Sequence, residues 1–162
     1  MGPSDTAHYI DLKTLIDKQL GERYRSLLIL ADDAEERSRQ ARTLAERIGA
    51  HYLNLLEYFE GRPKLCARID RFDIDELEGF LLDLQVPKEI VVVDAIDFLL
   101  NTWHEGQREA FVRVLLDQRL DTLERDAKLF VFFALDDVYL REHELTSTWR
   151  QDRTLRLSEV SF

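Results

Sequence analysis

Pairs of aspartates stand where three apolar segments of the chain end, and such acids could bind a metal ion. Each segment is an uninterrupted apolar run, typical of a strand buried on both faces of a parallel sheet. The acids are Asp32 and Asp33, Asp94 and Asp97, and Asp136 and Asp137. Since the carboxyl ends of parallel strands meet at one edge, we expect the pairs to converge there. Carboxylate oxygens suit Mg²⁺, and the predicted ligands are Asp32, Asp33, Asp94 and Asp97.

A magnesium site of this kind would favour phosphoryl-transfer or nuclease chemistry. The acid pair after the first strand and the aspartate after the third also resemble a phosphoreceiver domain. The interval from Asp33 to Asp94 is long for that family, and the last strand, Leu155–Leu157, lacks the expected lysine. The alternative is that these aspartates cap helices and bind water in loops, as aspartate commonly does. The sequence leaves both interpretations open.

Apolar runs alternate with helical periodicity along the chain, and this alternation predicts an α/β fold. Strands are predicted at residues 27–30, 51–55, 89–94 and 129–133, with an edge strand at 154–160. Helices are predicted at residues 10–20, 34–48, 73–84, 105–125 and from about 138 to 144. Gly49 is predicted to end the second helix and Asp73 to cap the third, and Leu123 is predicted on the buried face of the fourth. The pattern predicts a three-layer α/β/α sandwich around a mainly parallel five-stranded sheet. Residues 56–72 have no clear assignment because Gly61 and Pro63 interrupt them.

Length and charge restrict the classes of protein that this chain can belong to. Its 162 residues suffice for one domain, with an N-terminal helix and flexible start at residues 1–24 and a core at 25–162. The formal charge of −10 argues against a general nucleic-acid binder, because phosphate backbones require a basic surface. The single cysteine, Cys66, fits a reducing cytoplasm, and no apolar run is long enough to span a membrane.

The segment Glu89–Asp94 has the form of a Walker B element, an apolar run that ends on a carboxylate. A nucleotide site would also need a phosphate loop with glycines, a lysine and a hydroxyl after the first strand. Residues 31–38 there read Ala-Asp-Asp-Ala-Glu-Glu-Arg-Ser, without glycine or lysine. Four carboxylates crowd this helix start and would repel a triphosphate. The sequence therefore predicts no ordinary ATP binding and favours a non-catalytic protein.

From Ser26 to Val160 the order of elements resembles a small P-loop NTPase of the AAA+ kind. Leu27–Ala31 matches the strand before the Walker A loop, and Phe130–Ala134 matches the strand that ends in a polar sensor. Ala95 stands where a catalytic glutamate is usual, and Ala134 is apolar at the sensor position. The size and layout also resemble the small BrxF-type proteins of BREX phage-defence systems.

This resemblance implies a degenerate P-loop domain that lacks Walker A and binds other proteins. It would be a subunit or regulator of a larger ATPase-containing assembly, with anti-phage defence as the implied setting. Its partner would be an ATPase or another subunit of the complex, or a second copy of the chain. Nucleic acid would be reached only indirectly, and no membrane would be involved.

Arginines before the last strand often reach a neighbouring subunit in the AAA+ family. The matching segment here predicts three partner-binding residues, Trp149, Arg150 and Arg153. Tryptophan and arginine are also the residues favoured at interface hot spots. The alternative is that Trp149 packs against the sheet edge.

Several arginines lie on the helix that follows the first strand. We expect them to pair with nearby glutamates on a solvated helix face. The arginines are Arg37, Arg39, Arg42 and Arg47, and the glutamates are Glu35, Glu36 and Glu46.

Overall fold

Buried apolar runs form a five-stranded sheet in which all neighbouring strands are parallel. The computed structural model describes residues 9–124, 126–142 and 145–162. The strands in these residues are β1 (Ile10–Asp11), β2 (Ser26–Ala31), β3 (His51–Asn54), β4 (Ile90–Asp94), β5 (Leu129–Leu135), β6 (Thr154–Arg156) and β7 (Val160–Ser161). The sheet order is β3-β4-β5-β2-β6, and β1 pairs separately with β7. The predicted α/β class and five-stranded parallel sheet are confirmed.

Helices follow most strands and return the chain to the amino end of the sheet. They are α1 (Leu12–Gln19), α2 (Ala34–Ile48), α3 (Leu55–Glu60), α4 (Pro63–Cys66), α5 (Ile74–Leu82), α6 (Asp97–Thr102), α7 (Glu105–Ala110) and α8 (Val138–Arg141). Helix α7 continues as a π-helix over Phe111–Arg119, and short 3₁₀ turns lie at Ile69–Arg71 and Leu157–Glu159.

Both faces of the sheet are buried, because successive side chains of each strand point to opposite sides. Leu28, Val91 and Phe132 pack on one face with residues from α3, α5, α6 and the π-helix. Leu27 and Val92 pack on the other face with residues from α1 and α2. Helices therefore cover the sheet on both sides, in three layers.

Two helix ends have the caps that the sequence predicts. Asp73 accepts a hydrogen bond from the Glu76 backbone N–H at 3.0 Å and begins α5. Gly49 ends α2 with φ at 68°, a left-handed conformation that glycine adopts at little cost.

The predicted long helix over 105–125 ends early, at Arg119. The chain beyond it pairs with the segment before β2, where Thr122 N–H donates to the Arg23 carbonyl at 2.7 Å and Tyr24 bridges Asp121. Leu123, predicted on the buried face, is 84% exposed. These contacts with a distant segment are formed in place of further helical turns. The prediction that Leu123 is buried was wrong.

Other boundaries differ by a few residues. The predicted edge strand over 154–160 is divided, because the 3₁₀ turn at Leu157–Glu159 separates β6 from β7. The first predicted helix starts at Leu12, capped by the Asp11 side chain. Predictions for residues 1–8, for Arg125 and for His143 and Glu144 lie outside the described residues. Among the described helices, none has both the length and the apolar character needed to cross a membrane.

Candidate functional site

Asp94 ends β4 near the middle of the sheet, and its side chain has no exposed surface. The residue after it, Ala95, adopts a left-handed φ of 61°, which is uncommon for a residue with a Cβ. Its backbone N–H donates to Asp94 Oδ1 at 2.8 Å. This turn starts α6 at Asp97, so that a second carboxylate returns to the same carboxyl edge of the sheet.

Arg37 of α2 joins the two carboxylates. Its Nε donates to Asp94 Oδ1 at 2.8 Å, and its Nη1 donates to Asp97 Oδ2 at 2.5 Å. The arginine is 7% exposed, so the ion pairs are largely removed from water. Charge-assisted hydrogen bonds of this planar, forked kind fix geometry as well as charge.

Two further groups donate hydrogen bonds to the remaining oxygens of the Asp94 and Asp97 carboxylates. Tyr52 Oη donates to Asp94 Oδ2 at 2.5 Å, and the Leu135 backbone N–H donates to Asp97 Oδ1 at 2.7 Å. Burial, together with the hydrogen bond to Asp94, raises the pKa of Tyr52 to about 12. Burial also raises the pKa of Asp97, although the Leu135 N–H and Arg37 oppose this shift. We refer to Arg37, Tyr52, Asp94 and Asp97 as the Arg37 cluster.

The connection from β2 to α2 consists of only Asp32 and Asp33. The Asp33 side chain accepts the Glu36 N–H at 2.8 Å, and its carbonyl accepts the Arg37 N–H at 3.0 Å. The backbone N–H groups of Glu36 and Arg37 are therefore used within the chain, and the two-residue connection leaves no extended loop to surround a phosphate.

The prediction that Arg37 lies on a solvated helix face was wrong. The expected ion pair between Arg39 and Glu36 is present on that face. One feature of the sequence distinguishes buried Arg37 from exposed Arg39. In residues 31–38, Arg37 and Ser38 occupy the seventh and eighth places, where phosphate loops carry lysine and a hydroxyl residue.

The predicted metal ligands separate into two groups. Asp94 and Asp97 meet at Arg37, whereas Asp32 and Asp33 are exposed and Asp33 caps α2. Within the ranges that the structure describes, no three or more His, Cys, Asp or Glu residues are grouped as a metal site would require. The magnesium site stays a prediction.

The third acid pair has local partners. Asp136 contacts Arg141 at 2.9 Å and Arg156 at 3.7 Å, and Asp137 caps α8 by accepting the Tyr139 N–H at 2.8 Å. Asp137 is therefore a helix cap, as the alternative interpretation of the aspartate pairs predicts.

The predicted partner-binding segment forms a hairpin, with Thr146 and Asp152 bridged at its base. At its tip, Arg150 N–H donates to the Ser147 carbonyl at 3.0 Å, and Arg150 has a left-handed φ of 64°. Trp149 is 38% exposed, and Arg150 is also exposed.

Arg153, in contrast, is fully buried at the base of the hairpin. Its guanidinium donates to Ser26 Oγ at 2.8 Å and to the Thr146 carbonyl at 3.1 Å, and it contacts Asp117 at 3.2 Å. Burial lowers its pKa. In this conformation Arg153 holds the hairpin on β2, while Trp149 and Arg150 face outward.

Comparison of the chain with models of known protein families and with curated proteins finds no match. The function is therefore inferred from the residues of this chain.

Proposed function

We propose that this chain is a degenerate P-loop NTPase-like domain of the AAA+ kind that does not use nucleotide. It works as a protein-binding subunit or regulator of a larger ATPase-containing assembly. The setting suggested by its resemblance to BrxF-type proteins is anti-phage defence. The observation that carries the proposal is the Arg37 cluster, because its guanidinium and carboxylates pair with each other instead of with a ligand.

The arrangement of strands supports the P-loop-like interpretation. The Walker B-like strand β4 and the first core strand β2 lie on either side of β5, the strand matched to the sensor position. The ends of all three strands meet around the Arg37 cluster, since Asp97 accepts the Leu135 N–H of β5. The cluster thus occupies the edge at which open α/β sheets bind their ligands.

Electrostatics supports the loss of nucleotide binding. One guanidinium faces two carboxylates in the cluster, and the neighbouring turn adds Asp32, Asp33 and exposed Glu35. A triphosphate at this edge would meet net negative charge at short range, and the Glu36 and Arg37 backbone donors of α2 are already bonded to Asp33.

Equilibrium dialysis with ATP and Mg²⁺ tests the proposal. We expect no binding at micromolar nucleotide, with an active P-loop NTPase as the positive control. If the wild type retains ATP and Asp94→Asn releases it, the chain uses a nucleotide site and the proposal is wrong.

The hairpin tip is the proposed partner contact, because it presents an exposed tryptophan and arginine on a base held by buried Arg153. Tagged protein recovered from its native host should co-purify with its partner. Trp149→Ala and Arg150→Ala should weaken this complex, as judged by size-exclusion chromatography. Tyr9→Ala, at an exposed aromatic residue outside the hairpin, is the matched control. Unchanged elution of both tip variants with the partner would refute the assignment.

A magnesium-dependent receiver or phosphoryl-transfer domain is the second candidate, favoured by the adjacency of Asp94 and Asp97 at one guanidinium. It requires Mg²⁺ to displace Arg37 from both carboxylates. Millimolar Mg²⁺ would then raise the melting temperature of the wild type but not of Asp94→Asn. An unchanged melting temperature in both proteins removes this candidate.

A further inference from the structure

A cavity of about 480 Å³ lies at the amino end of the sheet, opposite the Arg37 cluster. Its apolar wall is formed by Leu81, Leu120, Ala127 and Phe130, and Leu82 extends this wall to the surface with 60% exposure. The volume falls within the range of small-molecule sites, which are mostly apolar with a few polar groups.

Arg25 supplies the buried charge of this cavity. The residue is 5% exposed and lines the cavity just before β2. Its backbone is fixed, because its N–H donates to the Leu120 carbonyl at 2.9 Å and its carbonyl accepts the Phe130 N–H at 3.0 Å. Its Nη2 makes one long hydrogen bond, 3.3 Å to the Glu124 carbonyl.

The Arg25 guanidinium is incompletely paired. Its Nε is buried without an acceptor, and in the described part of the chain no carboxylate forms an ion pair with it. A buried cation with so few partners is costly, and an anion that completes its hydrogen bonds would remove that cost. The planar fork of arginine matches a carboxylate.

Among the residues that the structure describes, the other charged groups that line the cavity are paired or exposed. Lys128 Nζ donates to the Val86 and Lys88 carbonyls, both at 2.7 Å, and Arg119 is paired with Asp75 and Glu78. Two acids, Glu124 and Asp126, also line the cavity, but both are exposed, so solvent and salt screen their repulsion.

We propose that this cavity binds an amphipathic carboxylate, with its charged group on Arg25 and its apolar part on Leu81, Leu120 and Phe130. Such a ligand adds an acceptor for the Arg25 guanidinium and covers the apolar wall at the same time. The proposal does not rest on the proposed protein-binding function, because neither Trp149 nor Arg150 of the hairpin tip lines this cavity.

The test uses octanoate as the probe, titrated into the full chain and followed by NMR. Signals of Leu81, Leu120 and Ala127 should shift and saturate, and octanol should bind about tenfold more weakly or worse, since it lacks the charge-assisted bond. Equal binding of octanol, or shifts that do not saturate, would overturn the proposal. A leucine-ending peptide, compared as free acid and as amide, shows whether a peptide terminus can supply the carboxylate.

Two variants locate the contact. Arg25→Gln should weaken octanoate binding about tenfold or more and leave octanol unchanged. Arg141→Gln removes the same charge from an exposed position outside the cavity and is the control. If Arg25→Gln does not fold, Ala127→Phe, which fills the cavity and keeps Arg25, should abolish octanoate binding. Octanoate affinity equal to that of the wild type in either folded variant contradicts the assignment.

Discussion

The Arg37 guanidinium lies 2.8 Å from the Asp94 carboxylate, a residue 57 positions away in the chain, and the two form a buried ion pair. The side chains are 9% and 0% exposed, respectively. Because water reaches neither charge freely, each depends on the other for neutralisation. Removal of one partner leaves the other charge buried without a counter-charge.

Arg37→Met should therefore lower the free energy of unfolding by about 3–5 kcal/mol, as measured by urea denaturation. Arg39→Met is the matched control, since Arg39 is 65% exposed in its pair with Glu36 and should matter by only about 0–1 kcal/mol. The double variant Arg37→Met with Asp94→Asn should recover part of the loss, because the fully buried charge of Asp94 is also removed and only the partly exposed Asp97 loses its partner. Equal effects in Arg37→Met and Arg39→Met would show that the ion pair is not buried in solution.

Tyr52 should make stability depend on pH in the alkaline range. Burial and Asp94 raise its pKa from 10.0 to about 12, so the folded protein holds the phenolic proton more tightly than the unfolded chain. The resulting stabilisation is complete below pH 10 and is lost as the pH rises from 10 towards 12. Urea denaturation at successive pH values measures this loss.

Tyr52→Phe should remove that part of the alkaline decline and cost about 1 kcal/mol at neutral pH, through its missing hydrogen bond to Asp94. Tyr9→Phe, at a residue 58% exposed, is the control and should keep the wild-type profile. A wild-type decline that persists unchanged in Tyr52→Phe would assign the alkaline loss to other groups.

Arg150 holds a left-handed φ of 64°, a conformation that costs a residue with a Cβ about 1 kcal/mol. Arg150→Gly should therefore raise the free energy of unfolding by about 1 kcal/mol in urea denaturation. Arg150→Ala removes the same side-chain charge but keeps the Cβ, so its stability should remain close to that of the wild type. If both variants gain equally, the charge and not the backbone is responsible.

Arg153 should be essential for folding, not directly for partner contact. Arg153→Ala removes a fully buried cation, the donor to Ser26 Oγ and the hydrogen-bond partner of Asp117. We expect a loss of about 3–5 kcal/mol, against about 0–1 kcal/mol for Arg156→Ala, whose side chain is 46% exposed. Thermal denaturation of the two variants makes the comparison. A stable Arg153→Ala protein that loses its partner would return Arg153 to the interface.

Local patterns predicted much of the fold. The runs at Leu27–Leu30 and Leu129–Phe133 became β2 and β5, since uninterrupted apolar strands are stable only inside a covered sheet. Asp73 and Gly49 marked helix ends through hydrogen bonds and backbone angles within a few residues. The error at Leu123 arose because helical periodicity cannot reveal that residues 121 and 122 pair with a segment about a hundred positions earlier.

The sequence by itself determined the class of fold and the absence of an ordinary phosphate loop, since both follow from the types of neighbouring residues. Only the tertiary structure decided that Arg37 neutralises Asp94 and Asp97, and that Arg153 is buried against Ser26, 127 positions earlier. From the sequence alone, an arginine on a helix or in a loop is predicted to face solvent, because the order of the strands decides which acceptors surround it. That order brings together the ends of β2, β4 and β5, and charges far apart in the chain then become partners.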